Sequence, residues 1–598
     1  MNNKLARVAL ISLAFLGTGC STLSVLEDSA RQGHLKLDGL ALAKRTSDTT
    51  REVVSMLALE RLCRRPSSDC AERILDAPGT IRTGTRLIAS SEILYRLATS
   101  VDGVAQHDAW LRCARQTHLY LHAPALPGRR GAMEARTQLV LRLHNACVAG
   151  LVGTVTSQRD PSAVTIRWDV DETDFPITAI QRVELAQHVS VRGLRTRQVD
   201  DGLGVAAIAI GRALGTTGTF PPQPFALAIN VRFEIEGDGM EALVATDASR
   251  HQSVDTALGA LTLARDTSAA YATAAVEFEK EISAWESLRG VAIDDNRSDI
   301  RLLAPIDDTK TPVILIHGFA SSPMAWANVV NELLGDPDIS EHYQFWLARY
   351  STGQPILLNR QRLAESLTEF RAKASTMSAQ PQKPAVLIGH SMGGVLARLL
   401  VTDPGDVLWN TAFTTSPDRM RAPPDVINSA RNLLLFSPIS DVDEVVFIAA
   451  PHGGSTIADG LFARILRGFV GTPARAPNFL TRLAQLNPND IQPALRESYS
   501  QGGPKGVDTL SPQQPVIRAA RALPVIKGVE IHSIVGIRNP RRPEDGDGVV
   551  PMESAVWPTG SEDRVEGGHD IHREPATIAV LKRILLNRLA RRAQGHSR

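Results

Sequence analysis

The chain has 598 residues, 43% of them apolar and 22% charged, with 65 Lys and Arg against 64 Asp and Glu for a formal charge of +1. That length exceeds one ordinary hydrophobic core, so two or three domains are expected. The balanced charge excludes a general attraction to nucleic acid or an acidic membrane surface. Basic clusters at Arg538–Arg542 and Arg588–Arg592 read as solvated surface or helix-end charge.

Residues 1–20 read as a targeting segment. Lys4 and Arg7 precede the apolar run Val8 to Leu16, which is too short to span a bilayer, and small residues lead into "LGTGCS". This end resembles the lipobox of bacterial lipoproteins. The resemblance implies that Cys20 becomes the acylated first residue of the mature chain, and Ser21 resembles an outer-membrane sorting signal. A lipid anchor to the bacterial membrane follows as an expectation, with the protein in the cell envelope as an outer-membrane lipoprotein facing the periplasm or the surface. Plain secretion is the alternative.

The other four cysteines, Cys63, Cys70, Cys113 and Cys147, all fall in the first quarter of the chain, as suits an oxidising compartment. Three pairings are open, of which Cys63 with Cys70 and Cys113 with Cys147 is the most local; four buried free thiols are the alternative. No C-x-x-C spacing points to zinc.

Residues 21–152 carry helical spacing, as in "SSEILYRLATSV" and "AWLRCARQTHLYL". Residues 153–300 turn to alternating runs such as "ITAIQRVELA" and "FALAINVRFEI", closed by a long helix read over "DTALGALTLARDTSAAYATAAVEFEKEISAWESL". Asn296 to Pro312 has the Pro, Asp and Thr of a linker. From 301 to 598 strands and helices alternate, which predicts a mostly parallel sheet with helices on both faces, an α/β fold. An insertion near 456–528 holds apolar helical faces such as "ADGLFARILRGFV" and "FLTRLAQL", placed where a lid could sit or where they could pack on the core.

The chemistry concentrates in "VLIGHSMGGVLARLL". A buried strand, Ala385 to Ile388, runs through Gly389-His390-Ser391-Met392-Gly393 into a helix, the G-x-S-x-G turn that exposes a serine oxygen. A serine hydroxyl attacks only when a histidine takes its proton and an acid fixes that histidine's tautomer. In chain order after Ser391, Asp547 before "GVVP" and His569 after Gly567-Gly568 supply both, whereas His572 reads as the lead-in to the last helix. Two backbone N–H groups must face the developing oxyanion, and Phe319 of "HGF" with Met392 are the candidates. His317 and His390 read as structural. The loop around Asp545 and Asp547 has too few ligands for calcium, so no metal and no cofactor are expected.

The motifs "VILIHGF", "YQFWLARYSTGQPI", "VLIGHSMGGVLARLL", "VFIAAPHGGS", "DGVVP" and "GHDIHREP" resemble the lipase and esterase branch of the α/β-hydrolase superfamily, similar to bacterial proteins related to the glycosylphosphatidylinositol-inositol deacylases. That resemblance implies a serine ester hydrolase acting through an acyl-enzyme on an ester substrate, lipid or not. An acyltransferase or peptidase would use the same fold. An envelope lipoprotein with an inert hydrolase domain, whose N-terminal half binds a protein partner, is the alternative of another class.

Overall fold

The computed structural model describes residues 24–27, 46–77, 79–129, 131–157, 166–169, 177–213, 222–237, 239–289, 298–352, 354–376, 382–453, 478–500 and 515–595. Cys20 with the signal-like segment, and residues 456–477 and 501–514 of the lid-like insertion, lie outside them. The chain divides into two compact units, Met1–Ala213 with Pro224–Glu279, and Leu214–Gln223 with Lys280–Arg598.

The first unit begins its helical part with α1 (Asp48–Met56), α2 (Ser68–Leu75), α3 (Thr83–Ala98), α4 (Gly103–His122) and α5 (Ala135–Ser157). Ser47 and Ser67 start α1 and α2 by accepting the backbone N–H groups of Thr50 and Cys70, groups that have no carbonyl partner within the helix. A five-stranded sheet follows, from β1 (Ile166–Trp168), β2 (Ile180–Leu185), β3 (Val205–Ala213), β4 (Gln223–Ile235) and β5 (Glu241–Asp247), in the order β1-β5-β4-β3-β2. Ile93, Trp110 and Leu151 from the helices share one buried cluster with Ala207, Ile229 and Phe233 from the sheet. These helices and this sheet thus close over one core, because neither layer can bury its apolar face alone.

Two local expectations change. The strand Ser24–Glu27 pairs antiparallel with Val189–Arg192, inside the stretch read as helical. The long helix read from Asp255 begins only at α6 (Thr267–Arg289), since "DTALGALT" forms a hairpin with Ser253–Thr256 paired to Gly259–Thr262. Gly259 at φ +98° turns that hairpin in a conformation a side chain would oppose.

Disulfides join Cys63 to Cys70 and Cys113 to Cys147, the second linking α4 to α5 across 34 residues of sequence. Closing a loop of that size restricts the unfolded chain by about 3–4 kcal/mol in the chain-entropy account. Reduction is therefore expected to lower the melting temperature of the N-terminal unit by several degrees or more, and mass mapping without reduction should recover both linked peptides. Helix α5 is long and apolar enough to cross a membrane over Ala135–Thr156. Its Cys147, Val148 and Leu151 are instead buried in the unit's core.

The second unit holds a seven-stranded sheet: β6 (Asp299–Leu302), β7 (Thr311–Ile316), β8 (Tyr343–Arg349), β9 (Ala385–His390), β10 (Val442–Ile448), β11 (Glu530–Ile537) and β12 (Ser561–Glu566), ordered β6-β8-β7-β9-β10-β11-β12. All pairs are parallel except β6 with β8. Strands β7 and β9 are buried at every residue, the signature of a sheet covered on both faces. The edges escaped sequence reading: β6 lies in the stretch read as linker, and β12, "SEDRVE", buries only Val565.

Helices α7 (Ala327–Leu334), α8 (Ile356–Thr376) and α9 (Met392–Leu400) follow β7, β8 and β9 in sequence. The described helices of the insertion, α10 (Asn478–Leu486), α11 (Pro493–Ser500) and α12 (Pro515–Ala522), put Leu483, Leu495 and Val516 into the same buried cluster as Leu387 and Leu396. Those described residues pack on the body of the unit. The chain ends in α13 (Pro575–Gly595).

Candidate active site

Strand order reverses at β7: the next strand, β8, lies on one side of it and β9 on the other. Open parallel sheets form their crevice at the carboxyl ends of the strands flanking such a point. β7 delivers His317-Gly318-Phe319 there and β9 delivers Ser391.

Ser391 occupies the turn between β9 and α9 at φ 54° and ψ −122°, outside the usual basins for a residue with a side chain. The flanking glycines permit the turn. A Cβ on Gly389 would lie 2.3 Å from the Gly393 carbonyl oxygen, and one on Gly393 would lie 2.2 Å from the Ile316 carbonyl oxygen. The Ser391 N–H donates to the Ile448 carbonyl at 2.9 Å, which ties the turn to β10.

The structure brings Ser391, His569 and Asp547 together from segments 156 and 22 residues apart in sequence. His569 Nε2 lies 2.8 Å from Ser391 Oγ, and His569 Nδ1 lies 2.8 Å from Asp547 Oδ2. The other oxygen, Asp547 Oδ1, accepts the backbone N–H groups of Val549 and Val550, both at 2.7 Å. Asp547 is 2% exposed while Asp545, two residues earlier, faces solvent. A carboxylate oxygen can only accept, so a hydrogen bond at Nδ1 requires the ring to carry its proton there, an arrangement that leaves Nε2 to accept from the serine hydroxyl.

Gly318 packs against Ser391, where a Cβ would lie 3.2 Å from Ser391 Cβ. This puts the backbone leading into Phe319 beside the serine. Met392 is the first residue of α9, so its N–H has no carbonyl partner within the helix.

The sequence read His390 and His317 as structural, and their contacts show what they support. Buried His390 donates from Nε2 to the His569 carbonyl oxygen at 2.8 Å, joining the serine turn to the histidine loop. No spacing in the sequence signals that bond, since the two residues stand 179 apart. His572 lies in the turn before α13, buried with its ring 3.9 Å from that of His390. His317 stacks on Tyr350 at 4.5 Å, and the Tyr350 hydroxyl donates to the His317 carbonyl oxygen. Tyr350 is a supporting residue that sequence reasoning did not single out.

Among the described residues, His390, Asp570 and His572 are the one group whose ligand atoms lie close enough to consider for a metal. His390 Nε2 is already committed to the His569 carbonyl, and the two imidazoles lie over one another with 32° between their planes. Rings so placed do not aim their nitrogens at a common ion, so we assign none there.

Burial holds several imidazoles of this unit neutral. His317 is pushed down to about 4 and His572 to about 3, while His390 and His452 fall well below the usual histidine value. For His390 the neighbouring His572 and His569 add to burial, and for His452 the Arg398 and Arg521 guanidinium groups do. An unfolded chain takes up these protons below about pH 6.5 and the folded one does not, so stability is complete above that pH and declines as pH falls toward 4. Each such histidine is expected to remove on the order of 1–2 kcal/mol by pH 5. Melting curves at pH 7 and pH 5 check this, with the lower midpoint expected at pH 5.

A model of the alpha/beta hydrolase family matches residues 313–580. No curated protein matches the chain in sequence. Among solved structures, the mature lipase BlEst2 of Bacillus licheniformis is similar at 17% identity, covering 48% of this chain and 98% of that one, with a TM-score of 0.27. A thermophilic esterase of the planctomycete Thermogutta terrifontis is similar at 14% identity over 48% and 88% of the two chains, TM-score 0.26. The peroxisomal α/β-hydrolase Lpx1 of Saccharomyces cerevisiae is similar at 13% identity over 49% and 82%, TM-score 0.25. The strand order, the serine on the turn after β9 and the family match make residues 313–580 an α/β-hydrolase domain.

Proposed function

We propose that the protein is a serine carboxylester hydrolase. The observation that carries this reading is the unbroken line of hydrogen bonds from Ser391 Oγ through His569 to Asp547, ending on a strained nucleophile turn. Ser391 attacks the ester carbonyl as His569 takes its proton. The Phe319 and Met392 N–H groups stabilise the oxyanion, and His569 returns the proton to the leaving alcohol. Water, activated by the same imidazole, then frees the acid from the acyl-enzyme. Asp547 keeps His569 in the tautomer this sequence requires and stabilises the imidazolium that forms.

A panel of carboxylic esters and phospholipids, compared with a Ser391→Ala control, tests the reading. Turnover of at least one ester that vanishes in the control is expected. Turnover unchanged in the control would remove Ser391 from the chemistry. The motif resemblance to glycosylphosphatidylinositol-inositol deacylases makes a lipid-linked ester one arm of that panel.

The same proposal places the enzyme on the bacterial envelope through a lipid on Cys20, supported by the n-region, the apolar run and "LGTGCS". Cys20→Ser is expected to shift the protein from the membrane fraction to the soluble periplasmic fraction. Unchanged membrane retention would point to another anchor.

A further inference from the structure

His390 and Ser391 are consecutive, and both send their side chains to the same residue. Ser391 Oγ lies 2.8 Å from His569 Nε2, and His390 Nε2 lies 2.8 Å from the His569 carbonyl oxygen. One dipeptide therefore grips both the imidazole and the backbone of His569. Two residues earlier, the Gly567 N–H ties the same loop to β11 through the Ile537 carbonyl at 3.1 Å.

The His390 ring is itself fixed. It ends β9 in the buried interior, with the His572 ring 3.9 Å away, and a Cβ at Gly318 would come within 3.0 Å of its Nδ1. Burial and the neighbouring imidazoles of His572 and His569 hold it neutral. A neutral imidazole carries one N–H, and a carbonyl oxygen only accepts, so the proton is on Nε2. The donor's place and its proton are thus both set before any substrate arrives.

We infer that His390 is a positioning residue for the proton transfer: its Nε2–H holds the His569 backbone so that the imidazole stands within reach of Ser391 Oγ. This role rests on reading His569 as the base of Ser391. The bond to Asp547 holds one nitrogen of that imidazole, about which the loop could still pivot. A second hold, on the same residue's carbonyl, removes the pivot. Both nitrogens of His569 meet their partners at 2.8 Å, and misplacing a reacting group by about 1 Å costs on the order of a hundredfold in rate.

The test measures kcat and KM of the full chain for p-nitrophenyl acetate, and the rate at which a short-chain fluorophosphonate labels Ser391. His390→Ala, which removes the donor, should lower kcat and the labelling rate by about tenfold to a hundredfold and leave KM within about twofold. His390→Gln, whose Nε2 carries an N–H at similar reach, should recover most of that loss. In a His569→Ala background, His390→Ala should have no further effect, because the group it places is gone. Should His390→Ala fail to fold, His390→Phe, which keeps a ring against His572 and lacks the donor, carries the comparison. Parental rates in the folded alanine or phenylalanine variant, a folded glutamine variant as slow as alanine, or a further loss on adding His390→Ala to His569→Ala would overturn the role of His390. Any of these results in a chain whose parent labels at Ser391 overturns the positioning alone. A folded parent that neither turns over ester nor takes up label overturns the reading of Ser391 and His569, and the role of His390 with it.

Discussion

Ser391→Ala is expected to lower ester turnover by about a thousandfold or more without loss of folded protein. The hydroxyl's one described partner is His569 Nε2, and that imidazole is 24% exposed, so water can take up the bond once the oxygen is gone. Alanine keeps the Cβ and hence the same strained φ of 54°, so the turn gains no new clash. His569→Ala should fall as far, because the two groups act as one unit and removing either removes the step. The remaining rate over uncatalysed hydrolysis would come from the oxyanion donors and from binding. Turnover within tenfold of the parent in either variant would contradict the assignment.

Asp547→Asn should cost on the order of ten-thousandfold in kcat with the fold intact. The asparagine oxygen would take the place of Oδ1, because Val549 and Val550 both donate there. Its NH2 group would then face His569 Nδ1, donor against donor, and the ring would relieve this by moving its proton to Nε2. A protonated Nε2 cannot accept the proton of Ser391. Asp545→Asn, on the exposed turn Pro543–Asp545, should stay within a few-fold of the parent. The reverse ranking of the two aspartates by kcat would overturn the choice between them.

The site was legible where chemistry imposes local constraints. Gly389 and Gly393 are required by the 2.3 Å and 2.2 Å approaches their missing Cβ atoms would make, so the turn that carries Ser391 shows itself in five residues. Strands β7 and β9 were legible because burial on both faces demands unbroken apolar runs. The edge strand β12 was not, since five of its six residues need no apolar side chain. Nor was the shared core of the first unit, where Trp110 and Phe233, 123 residues apart in sequence, belong to one buried cluster that no window of periodicity contains. His390 illustrates the same limit within the site: its identity was visible in the motif, but its bond to the His569 carbonyl exists only once both loops are placed. The hairpin Ser253–Thr262 was misread because "ALGALTL" satisfies helical and strand spacing equally, and the turn at Gly259 decides between them.

Mass-spectrometric mapping of the residue modified by a short-chain fluorophosphonate tests most directly whether Ser391 is the nucleophile. A single phosphonyl adduct is expected on the peptide containing Ser391, greatly slowed in His569→Ala and absent from protein unfolded before treatment. An adduct on another residue of the folded parent, or a folded parent that takes up no label, would contradict it.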